Sequence, residues 1–132
     1  MNYSRQRQLI FEAVHQTKTH PTTDSVYQQL KRELPKLSLA TVYRNLNQLC
    51  DNGQLRRLCL PDSPDRFDGN IEPHCHLHCR VCSSVVDLFE LNDEIVRLFS
   101  ENTDHRIESG DFVLHGVCSG CLKKSQKKAM NA

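Results

Sequence analysis

Between Pro73 and Cys82 the chain reads PHCHLHCRVC, and further on it reads CSGC, from Cys118 to Cys121. These residue types bind metals. Cys79 and Cys82 form one Cys-x-x-Cys turn and Cys118 and Cys121 another, with 35 residues between the two turns. Each turn presents two thiolates on one side of a knuckle. Two knuckles together make a closed tetrahedral S₄ site, which suits zinc as a structural ion and leaves no open coordination position. A redox dithiol is the weaker alternative, because nothing in the sequence around either pair resembles a thioredoxin-like strand–helix start.

The histidines suggest a different chemistry. His74 and His76 are two apart, so on a strand both imidazoles project from one face, with Cys75 on the other. Asp87, on the following strand-like run, and Asp68 add hard carboxylate oxygens. A mixed nitrogen and oxygen set suits Fe(II) or Mn(II) better than a thiolate cage does. His78 continues the alternation but directly precedes the knuckle, and reads as a surface or outer-sphere residue. His15, His105 and His115 have no nearby partner in sequence and read as ordinary side chains. Cys50 and Cys59 read as small packed hydrophobes.

These residues need elements to hold them. Within 1–17, Leu9, Ile10, Ala13 and Val14 recur at helical spacing. Pro21 opens a second helix that carries Val26, Tyr27 and Leu30 and ends near Leu34, before Pro35. Ser38 caps a third, with Leu39, Val42, Leu46 and Leu49 as its buried stripe and Asn52-Gly53 as its stop. A hairpin follows, from Leu55 to Leu60 and back through Arg66-Phe67-Asp68 around a Pro-Asp-Ser-Pro turn. Three short helices and a hairpin make a winged helix, whose third helix enters the DNA major groove. Thr41, Tyr43, Arg44, Asn45 and Gln48 then form the face that meets phosphates and base edges. An ordinary solvated helix face is the alternative reading of the same pattern.

From about Gly69 the character changes to strands over HCHLHC, SSVVDLFEL and SGDFVLHGVC. A helix over NDEIVRLFSEN lies among them, with Ile95, Leu98 and Phe99 directed inward. The expected fold is α+β: a winged helix over residues 1–68, then a small α/β unit over 69–132 with too little apolar material for a large core and metal as its staple.

Composition is consistent with this. The chain has 132 residues, 38% hydrophobic and 25% charged, within the range of a soluble globular protein. No apolar run approaches the roughly 18 residues of a membrane span, and the first residues lack the apolar core of a secretory signal. The expected compartment is the reducing cytoplasm, where seven cysteines serve as ligands or free thiols rather than disulfides. Net charge is +1, but residues 1–68 carry 10 Lys and Arg against 7 Asp and Glu, whereas residues 69–132 carry 7 against 9. The positive half is the expected side for an anionic partner.

In this order and spacing, HPTTDSVYQQL, LSLATVYRNLNQL, RFDG, HCHLHCRVC, VVDL and GVCSGC resemble the ferric uptake regulator family of bacterial metal-dependent repressors, over nearly the whole chain. The resemblance implies a cytoplasmic homodimer that binds double-stranded operator DNA through its winged helix. It implies structural Zn²⁺ on Cys79, Cys82, Cys118 and Cys121. It also implies a regulatory Fe²⁺ or Mn²⁺ on His20, Asp68, His74, His76 and Asp87, between the two domains.

Iron-uptake regulators usually carry Glu where this chain has Asp87, and histidines where it has Ser109 and Gly110. Asp87 resembles the peroxide-responsive repressors, in which iron-catalysed oxidation strikes ligand histidines, here His20 and His74. Two departures accompany the resemblance. The extra N-terminal helix or arm of many relatives is missing or very short, and His115 replaces a usual aromatic, either adding a ligand or filling a strand. An iron, manganese or zinc uptake regulator is the alternative within the family. Outside it stand a zinc-stapled interaction module and a metal-dependent hydrolase. For the hydrolase the chain offers no placed general base and no phosphate-cradling glycine loop, so no catalytic residue is expected.

Overall fold

A computed structural model describes residues 3–89, 92–108, 110 and 112–130. The chain divides into two compact units, Met1–Ile71 and Glu72–Ala132. Each is an α+β or helical assembly of the kind the sequence pattern implies.

The first unit holds α1 (Tyr3–His15), α2 (Thr23–Leu30), α3 (Leu39–Asp51) and the hairpin of β1 (Arg56–Leu58) and β2 (Arg66–Asp68). One apolar cluster joins them. Ile10 and Val14 of α1, Val26 and Leu30 of α2, and Val42, Leu46 and Leu49 of α3 are buried together with Leu37, Leu55 and Phe67. The helical stripes therefore face one another, as amphipathic helices require. The hairpin is antiparallel, with Arg57 opposite Phe67, and the Arg57 guanidinium lies over the Phe67 ring, 5.7 Å from its centroid.

The ends of the elements follow local chemistry. Ser38 caps α3 by accepting from Thr41 N at 3.1 Å. Asn52 closes α3, and Gly53 takes φ of 75°, a left-handed conformation natural to glycine. The second helix is shorter than its sequence pattern suggests. It starts after Pro21, because Thr22 is the cap and forms a reciprocal box with Ser25. It ends at Leu30 because residues 31–33 turn rather than continue the helix. Two expected positions on α3 are also corrected. Leu39 lies at the first helical turn, outside the core, and is 46% exposed. Asn45, expected on the DNA-facing surface, is 8% exposed. Its Nδ2 donates to Thr41 O at 2.9 Å and its Oδ1 accepts from Arg7 Nε at 3.3 Å, so its amide is spent on holding α1 to α3.

The second unit holds β3 (Cys75–Cys79), β4 (Val85–Leu88), α4 (Asn92–Glu101), β5 (Val113–Gly116) and α5 (Ser119–Met130). Its sheet has the order β4-β3-β5. β3 and β4 are antiparallel, with His76 opposite Asp87. β3 and β5 are parallel, with His78 opposite His115, the connection passing through α4. The most buried side chains here include His74, Cys75, His76, Cys79 and Val85, so ligand-type residues occupy places that leucines fill in the first unit.

Leu98 and Phe99, expected inward, are 59% and 53% exposed. Phe99 stacks on Phe112, with ring centroids 6.1 Å apart. The sequence pattern assigned nothing beyond Cys121, where α5 lies. Parts of the expected strands, at Glu90, Leu91, Ser109 and Asp111, fall outside the described residues. Among the described residues no helix is long and apolar enough to cross a membrane.

Gly69 follows β2 at the point where the chain passes α1. A Cβ built there would lie 2.5 Å from His15 Cα, a backbone atom that cannot swing aside. Gly69→Ala should destabilise the chain by about 1–3 kcal/mol, read as a lower urea midpoint with an unchanged slope. An unchanged midpoint would show that the hairpin and α1 separate freely.

Candidate metal centres and nucleic-acid face

The thiolate centre is built by a turn, a strand end and a helix start. After β3 the chain folds back on itself, with Ser83 N donating to Cys79 O at 2.9 Å and Cys79 N to Ser84 O at 2.9 Å. Ser83 adopts φ of 64° to close this knuckle. The parallel strand β5 brings Cys118 alongside, and the first turn of α5 presents Cys121. Cys79 and Cys121 sulfurs are 3.8 Å apart, as are those of Cys82 and Cys118, and all four lie within 4.8 Å of one another. A tetrahedron with metal–sulfur bonds of about 2.3 Å has edges of about 3.8 Å, so the cluster fits zinc.

The electrostatics agree with this fit. Backbone N–H groups of Cys82 and Cys118 point at Cys79 Sγ, from 3.5 and 3.4 Å, and hold its thiol down to about 6. Ser84, with Oγ 2.8 Å from Cys82 Sγ, lowers the Cys82 thiol. Cys121 is pushed up to about 12, chiefly by its hydrogen bonding with Cys118 and then by burial. One thiolate therefore forms readily while its neighbour keeps its proton, and only a cation at the centre lets all four ionise.

In the first unit, His20 and Asp68 come together. The segment Pro21-Thr22 lies along β2, with Thr22 bridged to Arg66 and Phe67 N donating to Pro21 O at 3.0 Å. This docking holds His20 at φ of 56°, a conformation uncommon for a side chain of this size and found where structure enforces it. His20 Nε2 then sits 3.3 Å from Asp68 Oδ2, both residues being buried. Asp68 Oδ1 accepts from Asn70 N at 2.9 Å, which orients the carboxylate.

In the second unit, His74, His76 and Asp87 converge. Asp87 Oδ1 is 2.9 Å from His74 Nε2 and 3.2 Å from His76 Nε2. His74 Nδ1 donates to the Glu72 carbonyl at 2.6 Å, which in the neutral ring leaves Nε2 with its lone pair directed at Asp87. Phe89 stacks on His74, with centroids 4.6 Å apart, and shields one face. Three Lewis-basic atoms this close require protons or a cation among them, so the donor set fits a divalent ion that accepts nitrogen and carboxylate. Sequence reasoning missed the Glu72 carbonyl, Phe89 and Ser84 as supports. Backbone carbonyls and stacking partners leave no signature in residue type.

Tyr43 is 57% exposed on α3. Beside it Arg44 Nη2 donates to Thr41 Oγ1 at 3.2 Å. Leu39, Ala40, Tyr43 and Arg44 line a shallow, mostly apolar cleft with Thr23 and Pro64. Gln48 is exposed and bonded to Arg7 of α1, so Arg7, which carried no sequence signal for this role, joins the same face.

A winged helix followed by a sheet unit that carries thiolate and imidazole–carboxylate centres defines a two-domain metalloregulator. The comparisons agree. The profile described as the Ferric uptake regulator family matches residues 1–121, and the chain belongs to that family. It is 38% identical over 120 residues to the Peroxide-responsive repressor PerR of Staphylococcus aureus (strain USA300), covering 90% of this chain and 81% of that protein. Among solved structures it is similar to the Campylobacter jejuni peroxide stress regulator, with TM-score 0.76, 25% identity and 90% coverage of both chains. It also resembles the Vibrio cholerae ferric uptake regulator, with TM-score 0.69, 26% identity and coverage of 85% of this chain and 88% of that one.

The thiol values set a pH dependence for zinc uptake by the metal-stripped protein. At pH 8 Cys121 must still lose a proton on binding, whereas Cys79 is already ionised. As pH falls through about 6, Cys79 also becomes protonated in the free protein and adds to the release. Calorimetry in buffers of different ionisation enthalpy should show more protons released per zinc at the lower pH. Release that does not vary with pH would contradict the thiolate assignment.

Proposed function

We propose that the chain is a metal-dependent, homodimeric transcriptional repressor that senses peroxide. The carrying observation is the convergence of His74, His76 and Asp87 on one sheet face, in a chain 38% identical to a peroxide-responsive repressor. Cys79, Cys82, Cys118 and Cys121 hold structural zinc, which replaces a missing apolar core. His20 and Asp68 in the first unit and His74, His76 and Asp87 in the second are the ligands of one regulatory Fe(II) or Mn(II). Neither set alone satisfies an ion that prefers five or six ligands. An ion that draws on both favours one arrangement of the two units over the rest, a population shift toward the DNA-binding form.

On DNA, Thr41, Tyr43 and Arg44 face the major groove, with Arg7 and Gln48 beside them. Asn45 acts through Arg7 rather than on a base. Homodimer formation is supported by the apolar side chains left outside the second unit: Leu98 and Phe99 on α4, and Leu114 on the edge strand β5.

Bound Fe(II) supplies the one-electron reduction of peroxide. By the family resemblance His20 and His74 would be the residues oxidised, and contact with the metal would expose such a ligand to the reactive product before it could diffuse. The short Asp87 supports the peroxide branch. An altered imidazole binds the ion less well, and the DNA-competent arrangement loses its brace. The cell compartment this reading implies is the cytoplasm.

Arg44→Ala should weaken operator binding by about 1–3 kcal/mol if the guanidinium reads a base, and reduce the salt dependence by about one unit of slope if it contacts phosphate. Unchanged affinity at matched salt would take α3 out of the groove. His20→Ala should abolish metal-activated operator binding while zinc content and dimer elution stay as they were. Full metal activation in that variant would sever His20 from the regulatory ion.

A further inference from the structure

Four histidines, His15, His78, His105 and His115, lie outside both metal centres, and the sheet register makes two of them neighbours. His78 on β3 stands opposite His115 on β5. Directly paired residues on adjacent strands project from the same face, and the rings meet edge to face with centroids 5.9 Å apart. His78 is half-buried and His115 exposed, so the pair is rooted in the sheet yet open to solvent.

We propose that His78 and His115 form a third metal site, a two-imidazole one on this sheet, selective for borderline divalent ions such as Ni(II), Cu(II) or Zn(II). The ligand type carries the selectivity: neutral imidazoles favour these late ions, whereas Mg(II), Ca(II) and Mn(II) prefer oxygen. Water completes the coordination sphere, because the pair is solvent-facing.

The site is separate from both others. Cys79 follows His78 directly and its side chain leaves the sheet on the opposite face, so the thiolate cage lies across the sheet from this pair. His76 shares the face, but two residues of strand displace it by about 7 Å, and its Nε2 is turned to Asp87. Parallel pairing of β3 with β5 is what brings the imidazoles together. His78 and His115 lie far apart along the chain, so the pair exists only in the folded sheet.

The test uses the full chain carrying zinc in the thiolate centre alone, titrated with Ni(II) by calorimetry and dialysis. His115→Phe and His78→Phe keep a ring in the sheet and remove the nitrogen donors. Each variant should bind one Ni(II) fewer per chain than the unaltered protein, at unchanged zinc content. In a His74→Ala background, altered at the other centre, adding His115→Phe should still remove one Ni(II). Equal nickel counts in the unaltered chain and the two Phe variants would overturn the proposal, and so would a loss confined to one Phe variant or no further loss when His115→Phe is added to His74→Ala.

Discussion

The carboxylate of Asp87, shared between two imidazoles, is the contact on which the proposed sensing chemistry rests. It depends on strand register. His76 pairs with Asp87 across β3 and β4, and His74, two residues before it, reaches the same oxygen. A slip of one residue would turn Asp87 to the other face of the sheet and leave both histidines without it. Hydrogen bonding from His74 to the Glu72 carbonyl adds the tautomer, and Phe89 adds the shielding. A site with ligands on a paired strand is held more precisely than one on loops, which suits an ion whose gain or loss must be felt as a change of shape.

The register in turn needs a sheet that stays folded, and this sheet has little apolar material behind it. Its most buried residues are imidazoles and thiols, where the first unit has Ile10, Val14, Val26, Val42, Leu46 and Leu49. Metal ligation replaces hydrophobic burial as the source of order in such small units. The thiol cluster ties the end of β3, the end of β5 and the start of α5 to one point. The permanent ion thus sustains the geometry that lets the exchangeable one be sensed, and the two need different ligand chemistry so that they do not trade places.

Much of this was legible in the sequence, for physical reasons. Cys-x-x-Cys spacing is dictated by the knuckle itself, and His-x-His by the two-residue period of a strand, so both survive without any knowledge of the fold. Ser38 and Asn52-Gly53 mark the ends of α3 because caps and left-handed residues are local matters. What failed was non-local. Asn45 lies at a position that could face groove or core, and only the reach of Arg7 from α1 decides it. Leu98 and Phe99 have the spacing of a buried stripe, but burial is decided by what the rest of the chain brings against α4, and both stay exposed. His115 was isolated in sequence and acquires a neighbour only through parallel pairing of β5 with β3. The second helix was read as longer than it is because Pro21 masked Thr22 as the true cap.

The account turns on one ion touching ligands from both units and reacting there with peroxide. Intact-mass analysis with peptide mapping, after brief peroxide exposure of the Fe(II)-loaded dimer, tests it most directly. The account predicts one added oxygen on the peptide that contains His20 or on the one that contains His74, and none when Mn(II) replaces Fe(II). Oxygen on Cys79, Cys82, Cys118 or Cys121 instead, with zinc released, would make the protein a thiol-based sensor. No oxidation of any residue, with Fe(II) still activating operator binding, would make it a plain iron regulator and contradict the account.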